Sequence, residues 1–250
     1  MHLHVHSQSS LLDGKASVQE LVDKSIDDGM PGIALTDHGN MFGVKEFVNY
    51  IKKKNADREE GDKFKPIIGC EMYVAKDTLH DRKYKDDKID RAHLIVIAKN
   101  LKGYKNLIKL VSQGWTEGMY YKPRTDHQQL AAHREGLIVC SACLGGEVPQ
   151  LFRRGELEEA EKRILWYKEI FGDDYYLELQ RHETVKENAN YETYPEQVKV
   201  NEFLLEMGKK HGIKVIATND VHFTYENDAE AHDRMLCINS NKKFNEPRMH

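Results

Sequence analysis

Residues 2, 4 and 6 of this 250-residue chain are histidines, alternating with Leu3 and Val5. In an extended strand alternate side chains share a face, so the three imidazoles can point one way while Leu3 and Val5 pack on the other. Imidazoles two apart on one face lie close enough to share a metal ion, and neutral imidazole is the commonest metal-ligand side chain. A solvated edge or a cloning remnant would show the same spacing, so further ligands must come from the rest of the chain. They stand at or near later apolar runs. Thr36-Asp37-His38-Gly39 closes one, Cys70-Glu71 lies within another, His93 opens a third, Cys143 follows a fourth, and Thr218-Asn219-Asp220-Val221-His222 closes the last. Imidazole, carboxylate and thiolate together suit zinc, manganese or iron(II), and a carboxylate can bridge two ions. A multinuclear metal site is the expectation.

Those groups need elements to carry them. Apolar runs at 3–6, 32–36, 66–74, 93–98, 137–140, 175–179 and 214–218 read as buried strands. Helical spacing predicts helices over 18–28, 44–54, 103–114, 157–171, 195–211 and 228–238. Ser17 and Glu20 match a capping box at the first helix start, and Gly29, Gly172 and Gly212 stand where helix ends favour a left-handed residue. Strand–helix alternation repeated about seven times predicts a parallel α/β architecture, for which a closed barrel is a natural solution. Its chemistry would collect at the C-terminal ends of the strands. A doubly wound open sheet fits the same alternation, but no Gly-x-Gly-x-x-Gly follows a strand, so dinucleotide binding has no support. Residues 76–91 are densely charged, lack an apolar period and read as a mobile loop.

Composition narrows the classes of function. Apolar residues make up 40% and charged residues 31%, with a net charge of -4, so nucleic-acid binding would need a local groove or a partner's surface. No run approaches the roughly 18 apolar residues of a membrane span, and no basic-then-apolar leader opens the chain. Cys70, Cys140, Cys143 and Cys237 form no dense framework, which suits a reducing compartment. The expectation is a cytoplasmic domain of enzyme size, without a membrane partner.

His2-Leu3-His4-Val5-His6-Ser7 with Leu11-Leu12-Asp13-Gly14, Leu35-Thr36-Asp37-His38-Gly39, Gly69-Cys70-Glu71, Ala92-His93-Leu94 and Asn219-Asp220-Val221-His222 resemble the PHP (polymerase and histidinol phosphatase) domain. Gly118-Met119-Tyr120-Tyr121-Lys122-Pro123-Arg124, Ser141-Ala142-Cys143-Leu144-Gly145-Gly146-Glu147 and Asp228-Ala229-Glu230-Ala231-His232-Asp233 are similar to the branch of that family at the N-terminus of bacterial DNA polymerase III alpha subunits. The resemblance spans essentially the whole chain. It implies a distorted seven-stranded (β/α) TIM-like barrel over 1–240, with 241–250 beginning a linker to a polymerase core that continues beyond this chain. It also implies up to three divalent ions (zinc, manganese or iron). His4, His6 and Asp220 would hold the first, with Glu71 bridging to a second that also takes His93 and Cys143. Asp13, His38 and His222 would hold the third.

Two ions about 3.5–4 Å apart can bind a phosphoester and bring the pKa of a water towards neutrality, so a metal-bound hydroxide is the expected nucleophile. Lys122 and Arg124 are candidate phosphate clamps, Arg by its forked donors and Lys as a point charge; solvation or docking to the rest of a polymerase would explain them equally. For the polymerase branch the resemblance implies 3′→5′ exonucleolytic proofreading, with a DNA primer terminus, the remaining polymerase chain and other replisome subunits as partners. A non-catalytic docking domain is the alternative, and a stand-alone histidinol-phosphatase-like enzyme a further one.

Other features carry plainer readings. Cys140 reads as core rather than half of a Cys-x-x-Cys metal site, since no second pair exists. His2 reads as supporting or solvated, and Asp37 and Asn219 as groups that orient ligands by hydrogen bonds. His80, His127, His133, His182, His211 and His250 show no partner pattern and read as exposed. Lys52, Lys53 and Lys54 form a helix end favoured by the dipole. Trp115, Tyr120 and Tyr121 can pack at a rim or stack on bases.

Overall fold

In the computed structural model, which describes residues 1–82, 91–184, 191–241 and 243, the capping box forms as expected. Ser17 Oγ accepts from the Glu20 N–H at 3.2 Å and Glu20 Oε2 accepts from the Ser17 N–H at 2.9 Å, opening helix α1 (Val18–Asp27). Val18, Leu21, Val22 and Ser25 are its buried residues, the i, i+3, i+4, i+7 stripe that a surface helix turns to a core. Gly29 follows at φ +69°, the left-handed position that only glycine takes without strain.

The residues group into two units, Met1–Cys70 with Asp220–His250 and Glu71–Asn219. In the first, α1 is followed by strand β1 (Gly32–Leu35) and helix α2 (Val44–Lys54), whose last turn carries Lys52, Lys53 and Lys54. Strand β2 (Lys65–Ala75) starts here and runs on into the second unit. β1 lies parallel to its first half, Gly32 opposite Lys65 and Leu35 opposite Ile68. Val22, Ile33, Leu35, Phe47, Ile51 and Phe64 are buried in this unit.

The second unit continues through β3 (Arg91–Ala98), α3 (Leu101–Thr116), β4 (Met119–Tyr120), β5 (Lys122–Thr125) and α4 (His127–Ala132). Then come β6 (Leu137–Cys140), α5 (Glu147–Arg153), α6 (Leu157–Phe171), β7 (Tyr175–Leu179), α7 (Thr193–His211) and β8 (Lys214–Ala217). Its strands lie in the order β4-β5-β2-β3-β6-β7-β8. β6, β7 and β8 run parallel, as the alternation predicts. β3 and β6 are antiparallel, a departure from an all-parallel sheet, and β4 and β5 form a hairpin that apolar periodicity does not reveal because β4 spans only two residues. α3 is capped by Asn100, whose side chain accepts from the Gly103 N–H at 3.0 Å. A Cβ on Gly103 would overlap the Gly136 carbonyl, so this close approach requires glycine. Leu107 and Leu110 on α3 are fully buried, each stabilising the fold by about 1.5–3 kcal/mol. Cys140 is core, as expected, and no disulfide forms among the described cysteines.

Helix α8 (Ala229–Ser240) closes the first unit in sequence. The charged loop expected at 76–91 lies partly outside the described residues, and its last residue, Arg91, already begins β3. No described helix is long and apolar enough to cross a membrane.

Candidate metal centre

Residues 2–6 run between two backbones, with bends at Leu3 and His4 and an isolated bridge at Val5 rather than a full strand. The Ala34 and Thr36 amides donate to the His2 and Val5 carbonyls on one side. On the other, His6 N–H donates to the Val221 carbonyl and Val221 N–H to the His4 carbonyl. Alternation therefore acts as it would in a strand: Val5 is buried, and His4 and His6 turn the same way onto Asp220. Their Nε2 atoms lie 3.0 and 3.1 Å from Asp220 Oδ1. Asp220 itself sits at φ +50°, a backbone strain of the kind that collects at functional sites.

Asp13 reaches the same unit's histidines through a tight loop. The Asp13 and Gly14 amides both donate to the Ser10 carbonyl, and a Cβ on Gly14 would overlap the Ser7 carbonyl, so glycine is needed there. Asp13 Oδ2 then lies 2.7 Å from His38 Nε2 and 3.3 Å from His222 Nε2. The His6 ring stacks 4.1 Å from His38 and 4.3 Å from His222. One nitrogen from each of these three histidines falls within 4.8 Å of the others.

Hydrogen bonds decide which nitrogens face the cluster. Ser10 Oγ donates to Asp37 Oδ1 at 2.8 Å, so at 3.0 Å from His6 Nδ1 it must accept. The His6 proton is then on Nδ1, and the Nε2 lone pair faces the Asp220 carboxylate. His222 Nδ1 is likewise held by the Asp220 carbonyl at 2.9 Å, leaving Nε2 towards Asp13. A lone pair and a carboxylate oxygen about 3 Å apart repel unless a cation or a proton lies between them. The donor set therefore fits divalent ions. Burial raises the Asp13 and Asp220 carboxyl pKa values, but the neighbouring imidazoles outweigh it and hold both well below the ordinary range. Burial lowers the His222 pKa; Asp220 and Asp13 overcome that and raise it. Asp37 accepts from Ser7 and Ser10, and so reaches the His6 ring through the Ser10 hydroxyl.

In the second unit three further groups converge. Glu71 is fully buried on β2, and its Oε1 lies 2.8 Å from His93 Nδ1 on β3. Cys143 Sγ is 3.5 Å from His93 Nδ1 and 3.7 Å from Glu71 Oε1. The loop carrying Cys143 is tied down by the Gly145 carbonyl, which accepts from the His93 amide at 2.8 Å and from Gln150 Nε2 at 2.6 Å. Carboxylate, imidazole and thiol in contact form a second mixed donor set.

With both clusters described, the match to known proteins is direct: the profile of the PHP domain matches residues 2–182. The chain belongs to the PHP domain family. It is similar to DNA polymerase III subunit alpha of Borreliella burgdorferi, 43% identical over 250 residues, covering 100% of this chain and 20% of the relative. The same subunit of Treponema pallidum is 43% identical, with 99% and 20% covered. The chain thus spans about a fifth of the length of these curated relatives. An amidohydrolase from Chromobacterium violaceum, solved with bound sulfate and no metal, shares the fold with a TM-score of 0.54 at 13% identity, covering 90% of this chain and 88% of its own. The α/β class of TIM-like type expected for a PHP domain is therefore the fold class of this chain.

Other residues of this PHP domain depart from expectation. Arg124 is only 1% exposed, and its guanidinium donates to the carbonyls of Leu79 (3.1 Å), Asp81 (2.6 Å) and Gly118 (3.2 Å). It staples the β4–β5 hairpin to a neighbouring loop and is not available as a phosphate clamp. Lys122 remains partly exposed, its ammonium 5.7 Å from the Tyr73 ring. Tyr121, at the hairpin apex, is exposed. Among the histidines read as exposed, His127 pairs with Glu147 at 2.9 Å and His211 with Glu161 at 2.6 Å, while His182 meets the Asn219 carbonyl at 2.7 Å. Their partners lie 20 to 50 residues away in the chain, where local spacing cannot show them. His80 is exposed as expected, and His250 lies outside the described residues. His232, on α8, was assigned no role, yet its Nε2 lies 3.9 Å from Asp13 Oδ1. Nor does any sequence pattern mark Ser10, whose hydroxyl joins His6 to Asp37.

Proposed function

We propose that this PHP domain is a divalent-metal-dependent phosphoesterase and that, as part of a replicative DNA polymerase alpha chain, it hydrolyses a 3′ DNA end in the 3′→5′ direction. The supporting observation is the convergence of His6, His38 and His222 with Asp13 and Asp220. The contacts fall into three sets matching the ligand groups of the family resemblance. These are His4 and His6 with Asp220, Asp13 with His38 and His222, and Glu71 with His93 and Cys143.

These sets would hold divalent ions, which would supply positive charge for a phosphoester's oxygens and acidify a water molecule. The chain's own residues do the rest. Asp13, Asp220 and Glu71 contribute negative charge that favours cations over anions, and Ser10 and Asp37 hold the His6 ring in one tautomer. Lys122 is retained as a phosphate contact and Arg124 is not. The similarity to polymerase alpha subunits supports DNA, the remaining polymerase chain and other replisome subunits as partners in the cytoplasm, with an unpaired primer end reaching the centre more readily than a paired one.

The test is metal analysis followed by hydrolysis of a 3′-mismatched primer with manganese, zinc or iron(II), comparing the wild type with His4→Ala and His6→Ala. Metal uptake with hydrolysis that both variants lose is the expected result. Bound metal without hydrolysis under any of these ions would replace the catalytic reading with a docking role. Hydrolysis of small phosphomonoesters in preference to DNA would point to a histidinol-phosphatase-like activity.

A further inference from the structure

Helix α8 is seated differently from the other long helices. None of its residues is buried, and Ile238 is 67% exposed. With no buried residue among those described in this helix, polar contacts at its first turns bear on its position. One is at its N-cap, where Asp228 Oδ1 pairs with Lys15 Nζ at 2.7 Å. Another is His232. Its Nε2 faces Asp13 Oδ1 at 3.9 Å, its ring is 5.5 Å from His222, and Phe223 lies 5.4 Å away on another side. Asp13 thus presents Oδ2 to His38 and His222 and Oδ1 to His232. A separation of 3.9 Å is too long for a direct hydrogen bond but short enough for one bridging water or a small closure.

We propose that His232 is a positioning residue for the ion held by Asp13, His38 and His222, and that through it metal binding and the seating of helix α8 are one coupled event. The proposal rests on the metal-dependent reading above. Groups that hold a ligating carboxylate from behind fix its orientation and charge. An ion that fixes Asp13 fixes the partner of His232; by reciprocity, loss of His232 weakens the ion.

The experiment uses the 250-residue chain and Mn2+ or Zn2+ as the probe. Chelator competition gives the metal dissociation constants of the wild type, His232→Ala and His232→Gln, and hydrogen exchange follows the α8 amides with and without the ion. His232→Ala is expected to weaken binding by about 10–100-fold and to abolish the metal-dependent slowing of exchange in α8. His232→Gln, which keeps a nitrogen near the Nε2 position, should recover part of both. The midpoint of urea unfolding without metal should not move. Unchanged metal affinity in His232→Ala, or α8 exchange indifferent to the ion in the wild type, overturns the proposal, and a drop in metal-free stability alone would mark His232 as merely structural. A wild type that takes up no metal would instead remove the phosphoesterase reading itself.

Discussion

Burying two imidazole nitrogens against one carboxylate is unfavourable unless a cation or a proton joins them, and this makes His4, His6 and Asp220 more informative than any one of them alone. Selection of the correct nitrogen falls to Ser10, which accepts from His6 Nδ1 while donating to Asp37. Ser10→Ala should therefore weaken metal binding by about 10–100-fold, read by chelator competition, with the histidines themselves untouched. Unchanged affinity would mean that the His6 ring is held by packing alone. The candidate ligand types were legible in the sequence because a metal accepts few side chains. Ser10 was not, because a serine among Ser7, Ser9 and Ser10 has no signature until the fold sets its hydroxyl between His6 and Asp37.

Among the elements, local chemistry wrote α1 plainly: Ser17, Glu20 and the apolar stripe each agree with the helix that forms. Replacing Ser17 by Ala should lower stability by about 1 kcal/mol in urea unfolding, since an orphan amide loses its acceptor. The β4–β5 hairpin was not legible. With only two residues in β4, it has no period to detect, and Arg124 of β5 ties it to the Leu79 and Asp81 carbonyls, far away in the chain. Arg124→Leu should cost on the order of 3 kcal/mol by removing the hydrogen bonds of a buried guanidinium to the Leu79, Asp81 and Gly118 carbonyls. Metal affinity should be unaltered, and a weakened phosphate interaction without loss of stability would restore Arg124 as a clamp.

For the whole molecule, stability should depend on pH and on metal. Burial raises the Glu147 pKa, but hydrogen bonds from His127 and Tyr167 and the charges of His127 and Arg163 outweigh it, so the folded carboxyl titrates below its ordinary value. Its contribution is then complete above the unfolded value of about 4.3 and is lost as pH falls below it towards the folded pKa. The stability difference between wild type and Glu147→Gln should accordingly be constant near neutrality and shrink below about pH 4. A divalent ion at about 100 times its dissociation constant should add about 2.7 kcal/mol, raising the melting temperature by roughly 5–10 °C in a chain of this length, and a chelator should reverse it. The sequence alone determined the α/β alternation and the family, and offered the candidate ligands, because periodicity, capping and metal preference are written in residue type and short spacing. Tertiary structure alone decided the antiparallel pairing of β3 and β6, the removal of Arg124 from phosphate binding and the approach of His232 to Asp13. Each depends on groups far apart in the chain, which only packing brings within reach of one another.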